Sequence, residues 1–366
     1  MSTEGEATAT ATTSAVPGLR LRHATAADWP AMADVLNRAR RADGVDEVRT
    51  GEYLAADHGE SEAFNLERDG LIAEVDGSVA GFALGQRVVR DGALVAETWG
   101  VIAPEYRRRG IGTTMFHAIR ERLVTECAAD PRPGPREMRS YALDQETGDR
   151  ALFAAEGFVT IRYGFEMRRY LTGEIPAPPL PAGLEMRPVT TDQHRAIFDA
   201  DNEAFEDHWG HRPQDETDFQ ARFHGPDQDP SLWCVAWDGD EVAGVVMNAI
   251  FRAENETLGI RRGWLEHVSV RRAWRGRGLA TAMCAASLRV LRDQGMDEAW
   301  LGVDGSNPTG AVRLYEGLGF GVVRGWQAYG RPLDGPAPAG WRSAGRAELP
   351  AAPVYAPGLE TAAPRA

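Results

Sequence analysis

The chain has few cysteines, no long apolar run and no excess of positive charge. Three cysteines in 366 residues, Cys127, Cys234 and Cys284, are too few and too scattered for a disulfide framework or a metal knuckle. They are expected to be small buried apolar side chains. The eight histidines show no HxxxH or HExxH spacing, so no metal site is expected. No run of about 18 apolar residues occurs, so no membrane-spanning segment is expected. Forty basic against 54 acidic residues give a net charge of −14, which argues against general affinity for nucleic acid. The opening MSTEGEATATATTSAVP has neither a basic n-region nor an apolar h-region, so no signal peptide is expected in it. A disordered tail on a soluble cytoplasmic protein is expected there. No G-x-x-x-x-G-K-[ST] string is present, and neither glycine turn gives G-x-G-x-x-G. That disfavours a P-loop enzyme and a Rossmann dehydrogenase.

What the chain does have is a short string written twice. Residues 101–112 read VIAPEYRRRGIG and residues 269–280 read SVRRAWRGRGLA. Each is an apolar strand-like run, an arginine cluster and a Gly-x-Gly/Ala step opening an amphipathic helix. Arg107, Gly110 and Gly112 in the first copy answer to Arg275, Gly278 and Ala280 in the second. The length suits two domains, and the 43% hydrophobic content is enough for a core in each.

Other segments repeat in the same order. LIAEVDG and VAGFALG form a hairpin turning at Asp76-Gly77, and CVAWDGDEVAGVVM forms its counterpart, turning at Asp238-Gly239. The helix after the first turn carries Ile111, Met115, Ile119 and Leu123 on one face; the helix after the second carries Leu279, Met283, Leu288 and Leu291. GEIPAPPLPA at 173–182 has four prolines and is expected to be a stiff linker. The expected organisation is a tail at 1–18, a domain at 19–172, the linker at 173–182, a domain at 183–334 and a Pro/Ala-rich tail at 335–366. The expected fold class is α/β (α+β): two tandem domains, each a mixed, mostly antiparallel twisted sheet flanked by helices.

The repeated turn has the chemistry of an anion site. Backbone N–H groups at a helix N-terminus lack partners and carry the positive end of the helix dipole. Glycine lets a phosphate approach the backbone, and arginine adds charge-assisted bonds. A second signature follows the second copy: Asn307, then Ala311-Val312-Arg313-Leu314-Tyr315-Glu316-Gly317-Leu318-Gly319-Phe320.

Together, the R-x-x-G-x-G/A turn and the N-x-x-A-x-x-L-Y-x-x-x-G-F string resemble the GCN5-related N-acetyltransferase (GNAT) superfamily. The pairing resembles its tandem members, which include mycothiol synthase. DHWGHRP at 207–213 is similar to a segment in some of them. The resemblance implies acetyl-CoA as co-substrate, in a V-shaped cleft between two splayed strands. It implies the backbone of Val268, Ser269 and Val270 against the pantetheine arm, and Arg275, Gly276, Arg277, Gly278, Leu279 and Ala280 around the pyrophosphate. Asn307 would bond the cofactor amide. In the first copy, Arg107, Arg109, Gly110 and Gly112 would form the same turn.

Direct transfer to an amine sets two demands. An amine with a pKa near ~10 must lose a proton, and Glu266 is the candidate acceptor, directly or through a water. By strand alternation Glu266, Val268 and Val270 face one way and His267 the other, unless a bulge intervenes. The leaving thiolate needs a proton, and Tyr315 stands where the family's general acid lies. In the first copy Phe153 stands in Tyr315's place, Gln145 in Asn307's and Thr98 in Glu266's, so that copy lacks the usual acid. Glu203, Asp207, His208 and Trp209 are candidates for the acceptor side, with the acids attracting an ammonium and Trp209 offering a stacking face. A small-molecule amine is the expected acceptor, with no nucleic-acid or membrane partner. A monomer is expected because the two copies form a pseudo-dimer. The competing reading is a non-catalytic acetyl-CoA-binding or sensor protein.

Overall fold

A computed structural model describes residues 16–58, 64–306, 310–336 and Trp341. The described residues form two compact units, one within 16–88 and 94–140, the other within 89–93 and 141–341. The sequence repeat and these units do not coincide: residues 89–93 and 141–172 lie in the first copy of the repeat but in the second unit.

The first unit is built on β1 (Leu19–His23), α1 (Trp29–Ala42), α2 (Gly51–Asp57), α3 (Leu66–Asp69), β2 (Gly70–Val75), β3 (Ser78–Arg90) up to Val88, β4 (Ala93–Ile102) from Leu94, α4 (Ile111–Ala129) and β5 (Arg136–Leu143) up to Ser140. The strands lie in the order β1-β2-β3-β4-β5. β2 and β3 pair antiparallel around Asp76 (φ +51°) and Gly77 (φ +81°), the positive-φ pair that a tight hairpin requires. Ile72 and Phe82 from the sheet pack with Met32 and Leu36 of α1 in a buried core. On α4 the expected face of Ile111, Met115, Ile119 and Leu123 is buried, each at 1% exposure or less.

The second unit holds α5 (Thr147–Ala155), β6 (Val159–Tyr170), β7 (Glu185–Arg187), α6 (His194–Phe205), α7 (Glu216–His224), β8 (Cys234–Asp238), β9 (Glu241–Ala249), α8 (Arg252–Leu258), β10 (Arg262–Val270), α9 (Leu279–Asp293), β11 (Glu298–Asp304), α10 (Ala311–Gly317) and β12 (Gly321–Pro332). Its strand order is β12-β6-β11-β10-β9-β8-β7. β6, from the first copy, is thus inserted between two strands of the second and pairs antiparallel with both. The Pro-rich segment between β6 and β7 is pinned: Ile175 is buried, and Arg289 donates to the Pro176 carbonyl at 2.9 Å. Leu279, Met283, Leu288 and Leu291 of α9 pack with Val245, Leu265 and Leu301 of the sheet in one core. All three cysteines are buried. Among the described residues no helix is long and apolar enough to cross a membrane, and no group of three or more His, Cys, Asp or Glu is placed to hold a metal.

Candidate active site

The site begins where two parallel strands part. β10 and β11 pair only from Arg262–Glu298 to Trp264–Trp300. Beyond Trp264, β10 stays bonded to β9 and leaves its other edge open. A cavity of about 910 Å³ opens there. It is lined by Leu265–Val270, by Arg275–Gly276 and Gly278–Thr281 of the turn, by Gly302–Asp304 at the end of β11 and by Tyr315.

A bulge shapes the strand. Leu265 pairs with Asn248 and His267 with Met247, so Glu266 is an extra residue. Alternation breaks at that point, and both Glu266 and His267 line the cavity. The expectation that His267 faces away is therefore corrected. Glu266 is exposed, Val268 and Val270 are half-buried, and Ser269 is buried. His267 is held from behind. Asp201 of α6, 0% exposed, places Oδ2 3.2 Å from its Nδ1, and the Arg222 Nη1 of α7 lies 2.9 Å from that nitrogen. Burial, then the Arg222 charge, push the imidazole below its ordinary pKa, with Asp201 opposing.

The turn suits an anion. Gly276 (φ +73°) and Gly278 (φ +83°) are both left-handed, and a Cβ on either would stand in open space. Gly278 is the N-cap of the 15-residue α9 and supplies no capping side chain for the first N–H groups of the helix, and Gly278–Thr281 line the cavity. Arg277, between the glycines, is exposed. Arg275 corrects the expectation for its side chain. Its Nε donates to the Val270 carbonyl (2.9 Å), Nη1 to Asp207 (2.6 Å) and Nη2 to the Ala204 carbonyl (2.9 Å). The guanidinium is engaged in bracing the turn, with all three of its nitrogens bonded within the protein. Arg107 does the same in the first copy, with its Nε to the Ile102 carbonyl at 3.1 Å and two bonds to Asp43 at 2.6 and 2.7 Å. There Arg109 donates to the Glu105 carbonyl (2.8 Å), and Gly110 (φ +84°) is the N-cap. Gly112 has only Ile102 near its Cβ position, at 3.5 Å. Arg108 takes a left-handed φ of +63° where the second copy has Gly276. For a non-glycine residue that costs about 1 kcal/mol or more.

Tyr315 lies on α10, 6% exposed, with its ring 6.0 Å from that of Phe320. Burial pushes its phenol far above the ordinary range, so it stays protonated at any working pH. Phe153, its first-copy counterpart, is a buried ring packed on Phe158 (5.6 Å) and Tyr329 (5.2 Å). Asn307 lies outside the described residues.

The acceptor-side acids are not open to an ammonium. Asp207 is bonded by Arg272 (2.8 and 2.6 Å) and Arg275 (2.6 Å), whose hydrogen bonds hold its carboxyl well below the usual range. Glu203 is bonded by Arg271 at 2.8 Å and does not line the cavity. His208 and Trp209 do line it. So do three residues that sequence reasoning missed: Arg162 of β6, Asp304 of β11 and Trp326 of β12. Arg162 grips Asp304 through Nε (2.9 Å) and Nη2 (2.5 Å) and lies 5.4 Å from the Trp209 ring centre. No motif marks Arg162 or Trp326, because the strand insertion brings them there.

The sequence profile described as "Acetyltransferase (GNAT) family" matches residues 29–130 and 194–320. The chain belongs to the GNAT acetyltransferases. It is 33% identical over 304 residues to a mycothiol acetyltransferase of Salinispora arenicola, spanning 80% of this chain and 91% of that one. It is 30% identical over 300 residues to a mycothiol acetyltransferase of Thermobispora bispora, spanning 81% and 93%. Among solved structures, a GCN5-related N-acetyltransferase from Sphaerobacter thermophilus superposes with a TM-score of 0.66 at 24% identity, covering 88% of this chain and 98% of that chain. A tandem GNAT protein from the clavulanic acid biosynthesis pathway gives 0.64 at 18% identity, covering 87% and 100%. The protein is thus a tandem GNAT enzyme of the mycothiol synthase-like kind, an N-acetyltransferase, and its family uses acetyl-CoA.

Proposed function

We propose that this enzyme moves the acetyl group of acetyl-CoA to a primary amine of a small molecule in the cavity of the second repeat. The observation that carries this reading is the parting of β10 and β11 over a cavity with an uncapped glycine turn at one end and a buried tyrosine inside. The residues present fit the group: the two left-handed glycines leave room that a side chain would fill, and the α9 N-terminus offers N–H donors for the pyrophosphate. Gly276, Gly278, Leu279 and Ala280 would hold that end, and the open edge of Val268–Val270 the pantetheine arm. When bound, acetyl-CoA supplies a thioester carbonyl for direct attack.

Glu266 takes the amine proton, directly or through a water. Tyr315 donates to the sulfur as it departs. A thiolate departing beside the buried phenol is destabilised by the same desolvation, so the raised phenol remains a useful donor. On the names of its relatives, the first acceptor to test is mycothiol lacking its acetyl group (desacetyl mycothiol). The first repeat keeps an anion-binding turn around Arg107–Gly112, but Phe153 has no proton to give, so the chemistry is assigned to the second repeat, at 183–334.

The test is a screen of amines, desacetyl mycothiol among them, with acetyl-CoA, following CoA release and the acetylated product by chromatography. The chain contains no lysine, so side-chain self-acetylation adds no background. Release that needs neither an amine nor Tyr315 would refute the reading.

A further inference from the structure

The loop after α6 presents two cavity-lining residues, His208 and Trp209, between two anchors. The first anchor is Asp207, gripped by Arg272 and Arg275. The second is Gly210, and its partners come from the first copy of the repeat. Arg90 Nη1 donates to the Gly210 carbonyl at 2.8 Å, and the Gly210 N–H donates to Asp91 Oδ2 at 3.0 Å. Arg90 and Asp91 belong to the tip of the β3–β4 hairpin, which lies in the second compact unit. The tip is rigid by construction: Asp91 (φ +51°) and Gly92 (φ +77°) are the two positive-φ residues of a two-residue turn. Gly210 is itself left-handed, at φ +74°. Its peptide groups are thus held on both sides by charged side chains, which make the stronger kind of hydrogen bond. From the cavity side Arg162 lies over Trp209, fixed in turn by Asp304.

We propose that Arg90 and Asp91 are positioning residues for the acceptor: they clamp Gly210 so that His208 and Trp209 stand ready in the cavity. The inference rests on the reading that the acceptor binds at this end of the cavity. A loop left free would have to be ordered by the acceptor at the moment of binding, at the expense of affinity. A clamp present beforehand removes that cost. Acetyl-CoA, held by the β10 edge and the turn, does not depend on it.

Asp91→Gly removes the carboxylate while keeping the positive-φ turn; Asp91→Asn keeps both the turn and an acceptor oxygen. Hydrogen–deuterium exchange over residues 205–213 is compared with steady-state kinetics on desacetyl mycothiol. In Asp91→Gly and Arg90→Ala, exchange in the loop is expected to rise about ten-fold. The KM for the acceptor should rise about ten-fold with the KM for acetyl-CoA unchanged within two-fold, and Asp91→Asn should stay near wild type. Unchanged exchange in Asp91→Gly overturns the clamp, and faster exchange with an unmoved acceptor KM overturns its role in acceptor binding. A wild type that does not turn over desacetyl mycothiol sinks the acceptor assignment alone, and the exchange comparison then decides the clamp by itself.

Discussion

Replacing Tyr315 by phenylalanine removes one hydroxyl and nothing else. The ring keeps its place in the core, 6% exposed and 6.0 Å from Phe320, so the fold should hold and stability should change by less than about 1 kcal/mol. What goes is the only change-sensitive part of the side chain, a phenol that burial keeps protonated. General acid catalysis contributes roughly 10²- to 10⁴-fold. A loss of about 10²- to 10³-fold in kcat, or about 2.7–4 kcal/mol of barrier, is expected. The KM for acetyl-CoA should stay within about three-fold, because the turn and the β10 edge are untouched. The raised pKa also fixes the sign of a pH effect. The acid form is the active one, so raising its pKa extends activity upward, and wild-type kcat should show no loss below about pH 10 that Tyr315→Phe abolishes. CoA-release kinetics from pH 7 to 10 on both proteins give the answer. A kcat within about three-fold of wild type, or an alkaline limb below pH 10 that vanishes in the variant, would refute the reasoning.

Three further outcomes are expected. Gly278→Ala puts a Cβ on a residue at φ +83° where the anion must approach; the KM for acetyl-CoA should rise about ten-fold with kcat largely kept. Asp207→Ala frees Arg275 and Arg272 from a carboxylate they both hold; if Arg275 is a brace, acetyl-CoA binding measured by calorimetry should weaken several-fold, whereas an arginine acting directly on phosphate would bind more tightly once released. Asp28, 8% exposed, is bonded by Arg22 at 2.8 and 2.7 Å, which holds its carboxyl at about 2, below the ordinary 3.8. Its stabilisation, about 2 kcal/mol, is present above pH 4 and lost as pH falls towards 2, so the gap in urea midpoint between wild type and Asp28→Asn should be wide at pH 7 and shrink at pH 2.5.

The parts legible in the sequence are those with local causes. Asp76-Gly77 announces a turn because few residue pairs accept two positive φ values, and the buried faces of α4 and α9 follow from apolar spacing alone. The glycines of the second turn were legible for the same reason. The bulge at Glu266 was not, since no residue type marks it, and it decides which side chains reach the cavity. The arginines were visible as a cluster, but their partners were not: Asp43 and Asp207 lie 64 and 68 residues from the arginines they bind. From the sequence Asp207 reads as open to a substrate ammonium, because sequence does not show a carboxylate already paired. The insertion of β6 was equally hidden, because an apolar strand carries no label naming its neighbours.

That insertion bears on what the first repeat contributes to the cavity of the second. β6 pairs with β11 from Glu298–Tyr170 to Asp304–Gly164 and with β12 from Gly321–Arg168 to Gly330–Val159. Without it β11 and β12 have no strand between them, and two cavity residues lose their setting. Arg162 is on β6 itself. Trp326 lies directly across Gly164, where any Cβ would collide with its ring, so the tryptophan's position depends on a glycine of the first repeat. Arg90 and Asp91 add a second dependence through Gly210. The second repeat therefore cannot complete its own cavity. Tyr315 and the turn at Gly278 come from one copy, and part of the cavity wall, Arg162, comes from the other.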